Sequence, residues 1–456
     1  MRTTHEVLGF AAHPPGLSAL FFTELWERFS FYGLQAILVL YLVGPAQLGG
    51  QDYSVTRAAT LYGNYTMAVY VLSMLGGFVA DRFIGAAAAV VIGALVIALG
   101  HFCLALGSET SLYVGLSCVA LGTSFLKPNV TTLVGRLYAP GDTRRDAGFS
   151  LYYMGINVGA CVAPLVCGYL AQGAAFREGL RSLGIDPRHS WHFGFGAAGI
   201  GMLIGLAVFA RGWSRWRALE VARLEIDRPA SAAPMSEYAE RFAAIAFFCV
   251  GAVVFFATAK QAGSSLNLFA DRMTRTEVFG WSFPSSWFQS ASALFVVMLA
   301  PLFSLLWLKL GTRQPSGAAK VVLGLASASL AFTLMSCAAV GVAHGLVSPL
   351  WLLSVYFFQT VGEMCVSPVG LSHVARLAPV RFVGLMMGLW FVAIGLGAKL
   401  AGVLAAGMDG SSPGQLTWSF GRQALVVAAA AAILALVVPR IRRIVANQDG
   451  RASSFN

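Results

Sequence analysis

The chain has 456 residues, of which 57% are hydrophobic and 11% charged, with a formal net charge of +11 and a mean hydropathy of +0.71. A soluble domain carries about 25% charged residues, so the composition excludes a soluble globular protein and points to a polytopic membrane protein. The basic excess then belongs to loops beside a membrane, and no nucleic-acid partner is expected.

The first residues, MRTTHEVLGFAAHPPG, are polar and contain proline. No cleavable signal peptide is expected, and the first span should serve as its own insertion signal. Twelve apolar segments of roughly 20–27 residues, each long enough to cross a bilayer, centre near Phe31, Met67, Val96, Ala120, Asn157, Gly201, Val250, Leu294, Ser329, Phe358, Trp390 and Ala428. The expected fold is an all-α integral membrane protein. It has a six-helix bundle over 1–210, a cytoplasmic linker over 211–240, and a second six-helix bundle over 241–456 with a short cytoplasmic tail. Two such halves suggest a transporter with a central site.

The first span carries Glu24, Glu27 and Arg28. Each charge in hydrocarbon costs roughly 2.5–3.5 kcal/mol. The three share one helical face, and Tyr32 and Gln35 continue it. Such a cluster implies partners or a water-filled cavity; a salt-bridge staple between helices is the structural alternative. After the second span, the turn Gly76–Gly85 places Gly77, Asp81, Arg82 and Gly85 between helix ends. After the eighth, Trp307–Arg313 keeps the glycine and the basic residues but not the aspartate. A tight charged turn of this kind can lock one half against the other and release it. In the fourth span Lys127 precedes Pro128, which removes a backbone hydrogen bond. Lys127 would pair with Glu24 or Glu27, or bind an anionic ligand group. Asn157 in the fifth span could line a cavity or bond between helices. The linker stretch RWRALEVARLEIDR reads as a helix on the membrane surface. In the tenth span Tyr356, Gln359, Glu363 and Ser367 share one face. Glu363 would meet a proton, a lysine or a cationic ligand group. His101 and His373 read as interfacial, and Tyr70 and Trp390 alone read as packing.

Of the 31 Lys and Arg, Arg28, Lys127, Lys260 and Lys399 fall within spans. Arg57, Arg177, Arg181, Arg188, Arg272, Arg275 and Arg422 fall on the side away from the N-terminus, and all the others fall on the N-terminal side. This bias predicts that both termini are cytoplasmic. Cys103, Cys118, Cys161, Cys167, Cys249, Cys337 and Cys365 lie in apolar segments without metal-ligand spacing and read as small buried hydrophobes. No nucleophile–base set or cofactor motif is visible, so neither an enzyme nor a metal or organic cofactor is expected.

The residues resemble the proton-dependent oligopeptide transporters of the major facilitator superfamily. The family pattern on helix one stands here as Glu24-Leu-Trp-Glu27-Arg28-Phe29-Ser-Phe31-Tyr32-Gly33, with Phe31 in place of a tyrosine. The Gly76–Gly85 turn and Phe149–Ala160 resemble its two signatures. Lys127-Pro128-Asn129, Gln261–Ser265, Gly362-Glu363 with Ser367-Pro368, and Gly388–Phe391 also match. The resemblance covers essentially the whole chain.

It implies the major facilitator fold and proton-coupled uptake of di- and tripeptides by alternating access, with protons as the coupling ion. Glu24, Glu27, Arg28 and Lys127 would couple the proton. Tyr32, Tyr70, Lys127 and Asn157 would contact the peptide, Glu363 its amino terminus, and Trp390 would line a side-chain pocket. Three departures stand out. Gln35 replaces a family arginine and Lys260 a family glutamate, two residues that pair as an extracellular gate. Ser292 replaces an asparagine that holds the peptide amino group. Gln35, Lys260, Ser292 and Ser367 complete the expected binding set. The departures leave open a carrier of the same fold for a non-peptide or anionic solute, or a substrate-gated channel or receptor. The expected setting is the plasma membrane (the inner membrane in a bacterium), as a monomer surrounded by lipid.

Overall fold

The computed structural model describes residues 10–139, 142–221, 238–379, 382–408 and 412–453. Among them are twelve helices of 19 residues or more. They are α1 (Leu17–Val43), α2 (Val55–Val79), α3 (Ala86–Leu104), α4 (Glu109–Arg136), α5 (Arg145–Gln172), α6 (Ser190–Ala210), α7 (Tyr238–Ala259), α8 (Phe288–Leu310), α9 (Gly317–Gly341), α10 (Pro349–Leu377), α11 (Val383–Ala406) and α12 (Pro413–Ser453). Each of the twelve apolar segments is one helix, as hydrocarbon requires, since every backbone N–H and C=O there needs an internal partner. Ten of the helices are long and apolar enough to cross a membrane on those measures alone. The other two are α1 and α4, whose mean hydropathy is lowered by Glu24, Glu27 and Arg28 and by Lys127, Asn129 and their Ser/Thr neighbours.

Packing divides the chain into two compact units, Met1–Gln51 with Leu72–Arg228, and Asp52–Val71 with Pro229–Asn456. Helix α2 is therefore shared between them. In the first unit α1 packs on α5 and α6, and α3 on α4 and α6. Leu20, Ile97, Leu126, Met202 and Phe209 lie in its core. The α3–α4 crossing is close because Gly93 and Gly122 face each other: a Cβ on either would stand 2.6 Å from the other's carbonyl oxygen, the small-residue packing of membrane helices. Beyond α6 a short helix, Trp213–Val221, follows. Trp216 is fully buried; it stacks on Phe209 at 5.3 Å and donates its indole N–H to the Phe209 carbonyl at 2.8 Å. The start of the linker is thus pinned to the first unit's core, not simply laid on a lipid surface. The rest of the RWRALEVARLEIDR stretch lies outside the described residues, as do Arg2, Arg223, Arg228 and Arg381 of the loop cations.

In the second unit α9 packs on α10 and α12, and α7 on α10 and α11. Helix α7 breaks into a 3₁₀ turn at Lys260–Gly263 and resumes as a helix over Ser265–Met273. A hairpin follows, with β1 (Glu277–Val278) antiparallel to β2 (Trp281–Ser282). The residues 52–71 of α2 meet α11 closely. A Cβ on Gly402 would stand 2.7 Å from the Gly63 Cα, the Thr56 hydroxyl donates to the Ala406 carbonyl at 3.1 Å, and the Lys399 ammonium bonds Asn64.

Candidate functional site

Helix α1 buries its charges almost completely. Glu24 and Glu27 are each 1% exposed and Arg28 is 3% exposed. The Arg28 Nε donates to Glu27 Oε2 and lies 3.3 Å from Glu24 Oε1, so one guanidinium is ion-paired with two carboxylates. Glu24 Oε2, Glu27 Oε1 and Arg28 Nη2 have no hydrogen-bond partner among the described residues. Buried polar atoms are seldom left so, and the cluster retains donor and acceptor capacity. The ring of Phe31, the residue standing where the family pattern has tyrosine, lies 5.1 Å from the guanidinium and supplies a π-face in place of a hydroxyl. From α4 and α5, the charge of Lys127 and the hydroxyl of Tyr152 act on Glu24. Tyr152 is 4% exposed and its hydroxyl lies 3.3 Å from the Thr131 hydroxyl. Tyr152 was not anticipated; it sits in the matched Phe149–Ala160 segment, but nothing in the spacing distinguishes it from Tyr153.

Lys127 and Tyr32 are half-buried, and Gln35 is buried. Asn157 is buried as well, and its amide donates to the Tyr153 carbonyl at 2.9 Å, one turn back on its own helix. That bond is not the interhelical one the sequence left open. His101, in the last turn of α3, is 0% exposed and so enclosed by protein. Its Nε2 meets the Ser30 hydroxyl of α1 at 2.6 Å, which draws the ring inward from the last turn of α3. His373 is half-buried, with Nδ1 at 2.9 Å from the Val369 carbonyl and its ring 4.8 Å from Phe248.

In the second unit Lys260 occupies the first residue of the α7 break. Its ammonium donates to the Tyr70 hydroxyl at 2.9 Å and lies over the Tyr70 and Phe256 rings at 5.1 and 5.7 Å. The Tyr62 hydroxyl donates to the Lys260 carbonyl at 3.4 Å, one of the carbonyls near the helix break. Tyr70 and Lys260 are therefore brought together, and the charge of Lys260 acts on Glu363 of α10. Along α10 Tyr356 and Gln359 are buried, while Glu363 and Ser367 are half-buried. Gln359 reaches back to α7, donating to the Thr258 carbonyl at 3.4 Å. Ser292 on α8 is half-buried. Trp390 is 2% exposed, its ring laid over Gly370, where any Cβ would strike it.

The turn between α2 and α3 winds as a π-turn over Ala80–Ile84 and reverses at Gly85, whose φ of 82° favours glycine. Asp81 and Arg82 are exposed, and Asp81 lies 3.9 Å from Arg136 at the end of α4. The Glu220 carboxylate of the linker helix accepts the Ala87 N–H at 2.7 Å, placing a negative charge at the N-terminus of α3. On the same unit, His13 meets the Tyr138 hydroxyl at 2.9 Å, and Arg144 donates to the Ala12 carbonyl at 3.1 Å. Hydrogen bonds from the Arg144 side chain and backbone hold the Asp142 carboxyl down to about 2. Burial, then the Arg144 charge, lowers His13.

Helices with the lengths and order of a twelve-span carrier, carrying buried ionisable residues that a merely structural bundle would avoid, define a multi-pass membrane transporter of the major facilitator fold rather than an enzyme. The POT family (PTR2) matches residues 87–223 and 220–418, and the chain belongs to that family. It is 36% identical to the uncharacterized transporter YclF of Bacillus subtilis over 95% of this chain and 96% of the relative. It is 34% identical to the peptide transporter YePEPT of Yersinia enterocolitica over 98% of each. A crystal structure of a peptide transporter POT, a glutamate-to-glutamine variant in complex with alafosfalin, superposes with a TM-score of 0.83 at 35% identity, covering 96% of each chain.

Proposed function

We propose that this protein carries di- and tripeptides into the cell by proton-coupled symport with alternating access. The reading sits in the plasma membrane (the inner membrane if the source is bacterial), with both termini cytoplasmic and the monomer as the working unit. The observation that carries it is the buried Glu24–Glu27–Arg28 cluster. Two carboxylates around one guanidinium hold a net negative charge, which the uptake of one proton neutralises. Movement of the Lys127 charge toward or away from Glu24 would then set when that proton is held. The peptide-transporter names of the relatives support the substrate class, and Glu363 supplies an acid for a peptide amino group.

The gate in this reading is atypical. Gln35 and Lys260 cannot form the acid–base pair of the family pattern, and Lys260 is engaged by Tyr70 instead. That exchange of an acid for a base favours one second reading, a carrier of an anionic solute on the same fold. Uptake of labelled dialanine into proteoliposomes, with and without an inward proton gradient, separates the two. Gradient-driven dialanine accumulation that is lost in Glu27→Gln is the expected result. Absence of dialanine uptake overturns the peptide reading, and uptake indifferent to the gradient overturns proton coupling.

A further inference from the structure

The break in α7 is spanned by one side chain. Gln261 is fully buried. Its amide donates to the Ala257 carbonyl at 2.9 Å, on the helix before the break, and its Oε1 accepts the Ser265 hydroxyl at 2.6 Å, on the helix after it. The same amide also donates to Gln423 Oε1 of α12 at 2.7 Å. Gln423 is 5% exposed, and its own amide nitrogen has no partner among the described residues. Its recorded polar role is therefore to accept from Gln261. Between the anchors the backbone departs from helix, with Ser264 at φ −131°, ψ −98°, and Lys260 sits at the first position of the turn.

We infer that Gln423 is a positioning residue for transport: by accepting from Gln261 it fixes the angle of the α7 break and so the place from which Lys260 reaches Tyr70. Helix α12 has no other predicted part in transport, so the inference assigns it one. The link to turnover rests on the transport reading above; the link to the break does not. A lost acceptor leaves a buried N–H of Gln261 without a partner, which raises local opening by about tenfold. The spanning side chain is then free to let the two helical segments re-angle.

The test uses the full chain reconstituted in lipid, with Gln423→Met, which keeps length and removes the acceptor. Amide exchange across 260–268 is expected to rise about tenfold, with exchange across 240–256 unchanged. The maximal rate of dialanine uptake is expected to fall by about tenfold while KM shifts by less than about twofold, the signature of a conformational step. Gln423→Glu keeps the acceptor oxygen and should return both readouts toward the parent. If Gln423→Met does not yield folded protein, Ser265→Ala removes the bond on the other side of the break and should give the same rise in exchange. Parent-like exchange across 260–268 in these variants overturns the inference. Raised exchange in a protein that does not take up dialanine leaves the hinge standing and refutes the peptide reading instead.

Discussion

Replacing Arg28 with methionine tests whether the buried cluster is held charged. The guanidinium lies 3.3 Å from Glu24 and bonds Glu27 directly. At an effective dielectric of about 20, the attraction at that separation is about 5 kcal/mol before desolvation is counted. Removing a carboxylate and removing the arginine are not equivalent. Glu27→Gln relieves the repulsion between two carboxylates and leaves Glu24 and Arg28 as a one-to-one pair, so the stability change should stay below about 1 kcal/mol. Arg28→Met leaves two buried acids with no counter-charge on α1, which costs about 3–5 kcal/mol. Thermal unfolding in detergent near pH 7.5 should show that order, with Arg28→Met far below Glu27→Gln. An Arg28→Met protein as stable as the parent near neutral pH would mean that the carboxyls are already neutral, and the charge balance proposed for coupling would be wrong.

Lys260→Gln removes the donor to Tyr70 and the charge acting on Glu363; proton-driven uptake should fall, and if gradient-driven and counterflow transport both stay unchanged, Lys260 is only a charge at the cavity rim. Gly402→Ala places a Cβ 2.7 Å from both the Gly63 Cα and the Ala59 carbonyl, so the α2–α11 contact must shift; a stability loss of about 1–3 kcal/mol is expected, and an unchanged melting temperature refutes the close crossing. His13 is held below its ordinary value of 6.5 by burial and by the Arg144 charge, with Asp142 opposing. Protonation is thus favoured in the unfolded chain, and the stability His13 supplies above 6.5 is lost as pH falls through that value. The melting-temperature advantage of the parent over His13→Gln should therefore shrink between about pH 7.5 and 5.5, and a constant difference excludes titration of His13.

The number of spans and the location of the charged cluster were legible because hydrocarbon imposes a large, local cost. Twenty apolar residues make a spanning segment wherever they occur, and three charges inside one cannot be ignored by any fold. The same argument found Lys127, Lys260 and Glu363 one at a time. It could not say which groups answer them, since partner choice depends on helix crossings far apart in sequence. Lys399 is answered by Asn64 and Lys260 by Tyr70, pairings that no local spacing encodes. Asn157 shows the converse. An amide in a span reads as a candidate for a bond between helices, yet its own helix offers a carbonyl one turn back, and that nearer acceptor takes it.

The α7 break was hidden for a related reason. Gln-Ala-Gly-Ser-Ser contains no proline, and in an apolar run it reads as small residues that ease packing. Small residues permit a bend but do not require one; what fixes the bend is a buried acceptor on α12, 162 positions away. The departure at Lys260 gains meaning there. A lysine substituted into a straight helix would have to find its partner by side-chain reach alone. At the first residue of a 3₁₀ turn its direction is set by the backbone, and the backbone is set by Gln261. Replacement of an acid by a base at this position is thus tied to the hinge, and the geometry of the hinge decides whether the ammonium meets a tyrosine hydroxyl or the carboxylate of Glu363.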